Sequence, residues 1–313
     1  YIGDNMDKIK IGIPRSLYFY YYGNFWKLFL EKLGFEIVLS PKTNKEIMNL
    51  GLKYSYDEMC LSLKNYIGHV AYLKGKCDYI LIPRIDNFGY DNQTCTNFLA
   101  TYDIINNLFD INILNYNVEN TNNETEEKAI VNMVEKLGIS KNKAKKTYKE
   151  TKEEIKKIEH KLIKNNLEKL SSSKTKILIV GHPYNTRDEY IGNPIIKILN
   201  NMEVDVIYSD LFNKEIANAE SKKISKTLYW KHNKEIIGCI PRLIKKIDGI
   251  IFFSTFPCGP DSLVNELAIR KIKIPTLNLI IDDIDSLTGF ETRLESFIDV
   301  VKERSKKLAK AEN

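Results

Sequence analysis

The chain lacks long apolar stretches. None approaches the roughly 20 residues that a helix needs to cross a bilayer, and the opening YIGDNMDKIKIGIPR holds no apolar h-region of a secretory signal. A cytoplasmic protein with no membrane partner is expected. Cysteine is sparse: five in 313 residues, an odd number, with no Cys-x-x-Cys pair. This argues against a disulfide framework. It also matches neither the common zinc spacings nor a ferredoxin run. Low-complexity segments are missing. The net charge of +6 is modest, and although lysines crowd residues 141–175, no groove-reading motif accompanies them. A solvated helix surface and no nucleic-acid partner follow.

What is present is an alternation of strand and helix signals. With 43% hydrophobic residues, the chain can build two ordinary cores. KIKIGIP, FEIVLS, CDYILIP and INILNY read as strands of a first half, separated by helices such as LYFYYYGNFWKLFLEKLG, which ends at Gly34. Residues 120–172 break this rhythm: EEKAIVNMVEKLG and KNKAKKTYKETKEEIKKIEHKLIKNNLEKL read as helices. TKILIVG, EVDVIYS, DGIIFFS and PTLNLII then repeat the plan, and LTGFETRLESFIDVVKERSKKL closes it as a helix. The expected fold is α/β: two doubly wound, mainly parallel-sheet lobes of Rossmann or flavodoxin-like type joined by a helical bridge. The domains are residues 1–119, the bridge 120–174, and 175–313.

Strands one and three of each half run into a proline: Pro14, Pro83, Pro183 and Pro257. Open α/β sheets bind ligands beyond the carboxyl ends of their strands, where the strand order reverses. With order 2-1-3-4 in each half, the four proline turns line such crevices, and two facing lobes bring them to one cleft. Cys60, Cys95 and Cys258 all fall at loop-to-helix junctions, where a helix N-terminus favours a thiolate or an anionic cluster. Cys77, at a helix-to-strand turn, and Cys239, inside an apolar helix pattern, read as structural thiols. Three convergent thiolates suit a soft metal or an iron–sulfur cluster; inert strand-end cysteines are the plainer alternative.

DEMCLSLK, YILIPRI, CTNF, GHPYN, FFSTFPCGPDSLVNEL and TGFETRLESFID occur in this order. On these motifs the chain, from about Ile11 to about Asp299, resembles the cluster-bearing D-component proteins of the 2-hydroxyglutaryl-CoA dehydratase family. The resemblance is to the stand-alone branch labelled "CoA-substrate-specific enzyme activase related". It implies two α/β lobes with an iron–sulfur cluster between them, 4Fe-4S or a bridged double cluster, bound by Cys60, Cys95 and Cys258. It implies an ATP-coupled low-potential reduction or electron delivery, reductase or lyase chemistry. Candidate partners are a separate ATP-hydrolysing iron–sulfur activator, a CoA thioester substrate and a second copy of the chain. The alternatives are a 2-hydroxyacyl-CoA dehydratase subunit and a non-enzymatic two-lobed small-molecule binding protein. Many relatives have Cys-Pro where this chain has Cys95-Thr96, and no Gly-rich ATP site is present, so "activase" does not mean ATPase here.

Around these thiols, Arg15 and Arg84 follow strand ends and read either as anion holders or as partners of a nearby acid such as Asp57 or Glu58. His182 reads as a proton or hydrogen-bond donor to the site, or as a turn histidine bonded to backbone. Asp261 and Ser262 read as N-caps of the helix after Cys258. The tyrosines at 18 and 20–22 read as helix packing.

Overall fold

The computed structural model describes residues 8–282 and 288–311. Residues 1–7 and 312–313 of the expected outer domains, and the Leu287 start of the closing-helix pattern, lie outside the described residues. The chain divides into two units: Tyr1–Asp57 with Leu63–Lys157, and Glu58–Ser62 with Ile158–Asn313.

In the first unit the strands are β1 (Lys10–Ile13), β2 (Glu36–Leu39), β3 (Tyr79–Leu81), β4 (Arg84–Asn87), β5 (Ile113–Leu114) and β6 (Asn117–Glu119). The helices are α1 (Phe19–Leu33), α2 (Lys45–Tyr54), α3 (Leu61–Leu73, its first two residues grouping with the second unit), α4 (Thr96–Leu108), α5 (Glu126–Glu135) and the start of α6 (Lys141–Glu168). The main sheet has order β2-β1-β3-β5, every pair parallel. Such a sheet buries both faces, so its central strand carries no polar stripe; Ile11 and Ile13 are fully buried. Helix α1 turns Phe25, Trp26, Phe29, Leu30 and Leu33 inward at helical spacing. It ends at Gly34, which takes the left-handed φ of 103° that only glycine adopts without strain.

Strand β3 ends at Leu81, just short of Pro83, and hydrogen bonding resumes beyond the proline. The amides of Ile80, Ile82 and Arg84 bond the carbonyls of Asn112, Leu114 and Tyr116 at 2.9 Å each. A ladder uses alternate residues, so Pro83 occupies a position that owes this neighbour no N–H. Pairing therefore continues past it into the β4–β6 ribbon, also parallel.

In the second unit the strands are β7 (Thr175–Val180), β8 (Val204–Tyr208), β9 (Gly249–Thr255) and β10 (Thr276–Ile281). They form a parallel sheet of order β10-β9-β7-β8. Counted from its own first strand, each main sheet thus runs 2-1-3-4. Helices α7 (Pro183–Thr186), α8 (Asn193–Asn201), α9 (Lys214–Ser221), α10 (Lys231–Ile237), α11 (Ile240–Leu243), α12 (Gly259–Ile269) and α13 (Thr288–Ala311) accompany it. All seven residues of β9 are buried. One face of the sheet packs Phe252, Ile250 and Leu178 with Ile236, Ile237, Val264 and Ala268. The last part of α6 is tied to this unit by Asn166, whose side chain bonds Tyr208 and Leu211 carbonyls at 2.9 and 3.0 Å and accepts the Tyr208 amide at 2.9 Å.

Candidate functional site

The five thiols divide by environment, and none is in a disulfide. Cys95 is the N-cap of α4 and Cys258 the N-cap of α12, neither making a side-chain capping bond. Cys60 immediately precedes α3. All three are partly exposed. Cys239 is fully buried between α10 and α11; burial drives its thiol pKa far up, and its S–H faces the Ile236 carbonyl at 3.3 Å. Cys77 is half-buried beside Gly12, and desolvation raises its thiol too. A thiol pushed upward is a poor metal ligand, because the ligand is the thiolate.

Within the second unit, the segment carrying Cys60 is fastened to the strand end that leads to Cys258. The Leu61 amide donates to the Phe256 carbonyl at 3.0 Å. The Ser62 hydroxyl donates to Asn185 Oδ1 at 2.6 Å and lies 2.8 Å from the Thr255 hydroxyl. Ser62, Asn185 and Thr255 are all buried. Phe256, which follows Thr255, precedes Pro257 through a cis bond and is itself exposed. Two thiols at helix starts on segments joined in this way fit a soft, anionic group such as an iron–sulfur cluster. Among the described residues, however, no group of three or more His, Cys, Asp or Glu side chains is gathered to hold a metal ion. Cys95 belongs to the first unit.

Beneath Cys258 lies a buried polar network that the sequence reading did not assemble. Asp261 does not cap α12; it sits in the helix's first turn, 2% exposed. His182 Nε2 lies 2.9 Å from Asp261 Oδ1, and Asn233 Nδ2 donates to the same oxygen at 2.7 Å. Burial alone would raise the Asp261 pKa. The His182 charge, with hydrogen bonds from His182, Asn233 and Cys258, outweighs this and holds it below its ordinary value. His182 thus meets a carboxylate, and it stacks on Tyr184 at 4.9 Å. Ser262 does not cap either: its hydroxyl donates back to the Cys258 carbonyl at 2.7 Å. Asn233 comes from α10, whose polar residues His232, Lys234 and Glu235 are also buried. Desolvation lowers the His232 pKa to about 4, although Glu235 lies 3.0 Å from its Nδ1. Glu235, paired with Lys231, is held ionised well below its usual range despite its burial.

In the first unit the two candidate arginines part company. Arg84 pairs with Asp103 and lies over the Tyr102 ring, the ion-pair alternative of the sequence reading. Arg15 makes no ion pair among the described residues. Its backbone amide donates to Ser40 Oγ at 2.8 Å, and its guanidinium lies 5.7 Å from the Phe19 ring centroid.

Residues 10–212 match the family described as CoA enzyme activase uncharacterised domain (DUF2229). No curated protein matches the chain. Among solved structures, the SBP FpvC of Pseudomonas aeruginosa in complex with Ni2+ is similar at 12% identity, over 95% of this chain and 98% of that one, with a TM-score of 0.28. Its complex with Mn2+ is similar at 13% identity, over 95% and 100%, with a TM-score of 0.26. Likeness at these scores carries no argument about fold or ligand. Among the described residues, no helix is long and apolar enough to cross a membrane.

Proposed function

We propose an iron–sulfur redox role for this chain, which belongs to the family described as CoA enzyme activase uncharacterised domain (DUF2229). The observation that carries the reading is the sorting of the thiols. Cys60, Cys95 and Cys258 each stand immediately before a helix and are partly exposed, whereas Cys239, which precedes α11, is fully buried and, like Cys77, has a raised pKa. The ligands would be Cys60, Cys95 and Cys258. A four-iron cluster, when bound, supplies single electrons at low potential.

The chain's own contribution is to present thiolates at helix N-termini, where partial positive charge offsets their negative charge. It also fixes the Cys258 turn from below, through Asp261 with His182 and Asn233. Low-potential electron delivery within a CoA-enzyme system follows, with a separate ATP-hydrolysing activator as donor and a CoA thioester as the ultimate substrate. Iron and sulfide analysis of the protein made and purified without oxygen tests this. We expect iron with matching sulfide, most of it lost in Cys258→Ala and little lost in Cys239→Ala. Iron-free anaerobic protein, or equal losses in the two variants, would sink the redox reading.

A further inference from the structure

The first unit holds a half-buried cation that no carboxylate among the described residues neutralises. Arg15 follows the carboxyl end of β1, whose neighbours β2 and β3 lie on opposite sides. The connection from β1 goes one way and the chain then crosses to the other, so this end is the reversal point where open α/β sheets take ligands. The Arg15 Nε is buried and has no hydrogen-bond partner. Nε and one terminal nitrogen form the side-on fork with which a guanidinium grips a carboxylate or a phosphate. An unpaired charge withdrawn from water is costly, and here no acidic side chain among the described residues relieves it. Arg84, beyond the end of the neighbouring strand β3, has Asp103 for that purpose.

The surroundings are built to hold this fork rather than to neutralise it. Ser40, at the end of β2, accepts the Arg15 amide and lies 2.8 Å from His69 Nδ1. His69 Nε2 lies 2.9 Å from the Thr43 hydroxyl, which also accepts from Asn65 at 3.3 Å. Ser40, Thr43, Asn65 and His69 are all buried. Burial and then the Arg15 charge keep His69 neutral, its pKa lowered to about 3. The cluster therefore carries one positive charge, on Arg15, at a fixed place. Asp57 and Glu58, the acids that the sequence offered, are not ion-paired with it.

We propose that Arg15 is the anchor of an anion site at the carboxyl edge of the first unit's sheet, taking a phosphate or carboxylate group through Nε and a terminal nitrogen. The site is independent of any metal, so its test leaves the iron–sulfur reading untouched. Either group could come from a nucleotide-bearing thioester such as a CoA compound or from a free small acid. Metal-free protein is titrated calorimetrically at constant ionic strength with inorganic phosphate, CoA and glutarate. Binding of phosphate and CoA, but not glutarate, assigns the site to phosphate; the reverse assigns it to carboxylate. In either case Arg15→Gln should weaken binding at least tenfold. Arg15→Lys, which keeps the charge and loses the fork, should fall between. Lys27→Gln, the same charge change at an exposed position of α1, should bind as the parent does. Thermal melts of Arg15→Gln and Arg15→Lys establish that both are folded. Failure of all three probes to bind the parent, or equal binding by the parent and a folded Arg15→Gln, overturns the proposal.

Discussion

His182 and Asp261, 79 positions apart, meet at 2.9 Å with both side chains buried. One follows β7 and the other opens α12, so the contact locks the end of a central strand to the helix that starts at Cys258. Leaving a buried hydrogen-bonding group without its partner costs about 1–3 kcal/mol. Asp261→Ala should therefore destabilise the second unit by an amount in that range, read from urea unfolding. A double-mutant cycle with His182→Ala should show coupling of at least about 1 kcal/mol. Additive losses would mean that the two groups merely sit side by side.

Acid should weaken the protein through its buried neutral histidines. The folded pKa of His69 is lowered from 6.5 to about 3, and that of His232 to about 4, burial leading in both. Each imidazole stays neutral when folded but takes a proton on unfolding once the pH drops below about 6.5. The stabilisation is complete above that pH. It declines as the pH falls toward the folded pKa, by at most about 1.4 kcal/mol per pH unit and group. Urea midpoints between pH 7 and 5 should fall accordingly, and His69→Gln should flatten the slope for the first unit. An unchanged slope in that variant would show that His69 is not a contributor.

The Ser62 hydroxyl should govern how firmly the Cys60 segment is held. Ser62→Ala leaves Asn185 Oδ1 without the 2.6 Å bond it accepts, a loss of about 1–3 kcal/mol for a buried acceptor. The sensitive readout is amide exchange at Leu61, whose N–H bonds Phe256. Exchange there should accelerate while β7 and β9 amides keep their protection. Uniform acceleration would point to global destabilisation instead.

Thiol labelling of reduced, metal-free protein should report the sorting directly. Cys60, Cys95 and Cys258 should react with a thiol reagent under native conditions, Cys77 slowly, and Cys239 only after unfolding. Rapid native labelling of Cys239 would contradict its complete burial.

Much of the fold is legible in local patterns. The apolar runs before Pro14, Pro83 and Pro183, and the Gly34 stop, mark where elements begin and end, because the signals for them are local. The helix start after Cys258 was equally legible, because Pro260 suits the first turn of a helix and cannot sit in its interior. Helices α2 and α3, by contrast, cross where Gly51 and Gly68 let backbones touch. A Cβ at Gly68 would fall 2.1 Å from the Ile47 carbonyl oxygen, and one at Gly51 the same distance from that of Lys64. Nothing in either glycine's neighbourhood in the chain signals that closeness. Asp261 misled for a similar reason: an acid in a first turn reads locally as a cap, and its partners come from elements 79 and 28 positions away.

The tetrapeptide Asn-Lys-Glu-Ile draws the boundary. It occurs at 44–47, 213–216 and 233–236. In the first two cases the asparagine is the N-cap of α2 or α9, and its side chain accepts the amide of Ile47 or Ile216 at 3.0 and 2.9 Å. That outcome is written in the sequence, since a short amide side chain satisfies an orphan helix N–H within three residues. In the third case the helix has already begun at Lys231, so Asn233 lies inside its first turn rather than at the cap, and its side chain is turned to Asp261 beneath Cys258. Only the tertiary structure decided this. A buried carboxylate must be paired wherever the fold places it, and that requirement acts through space rather than along the chain.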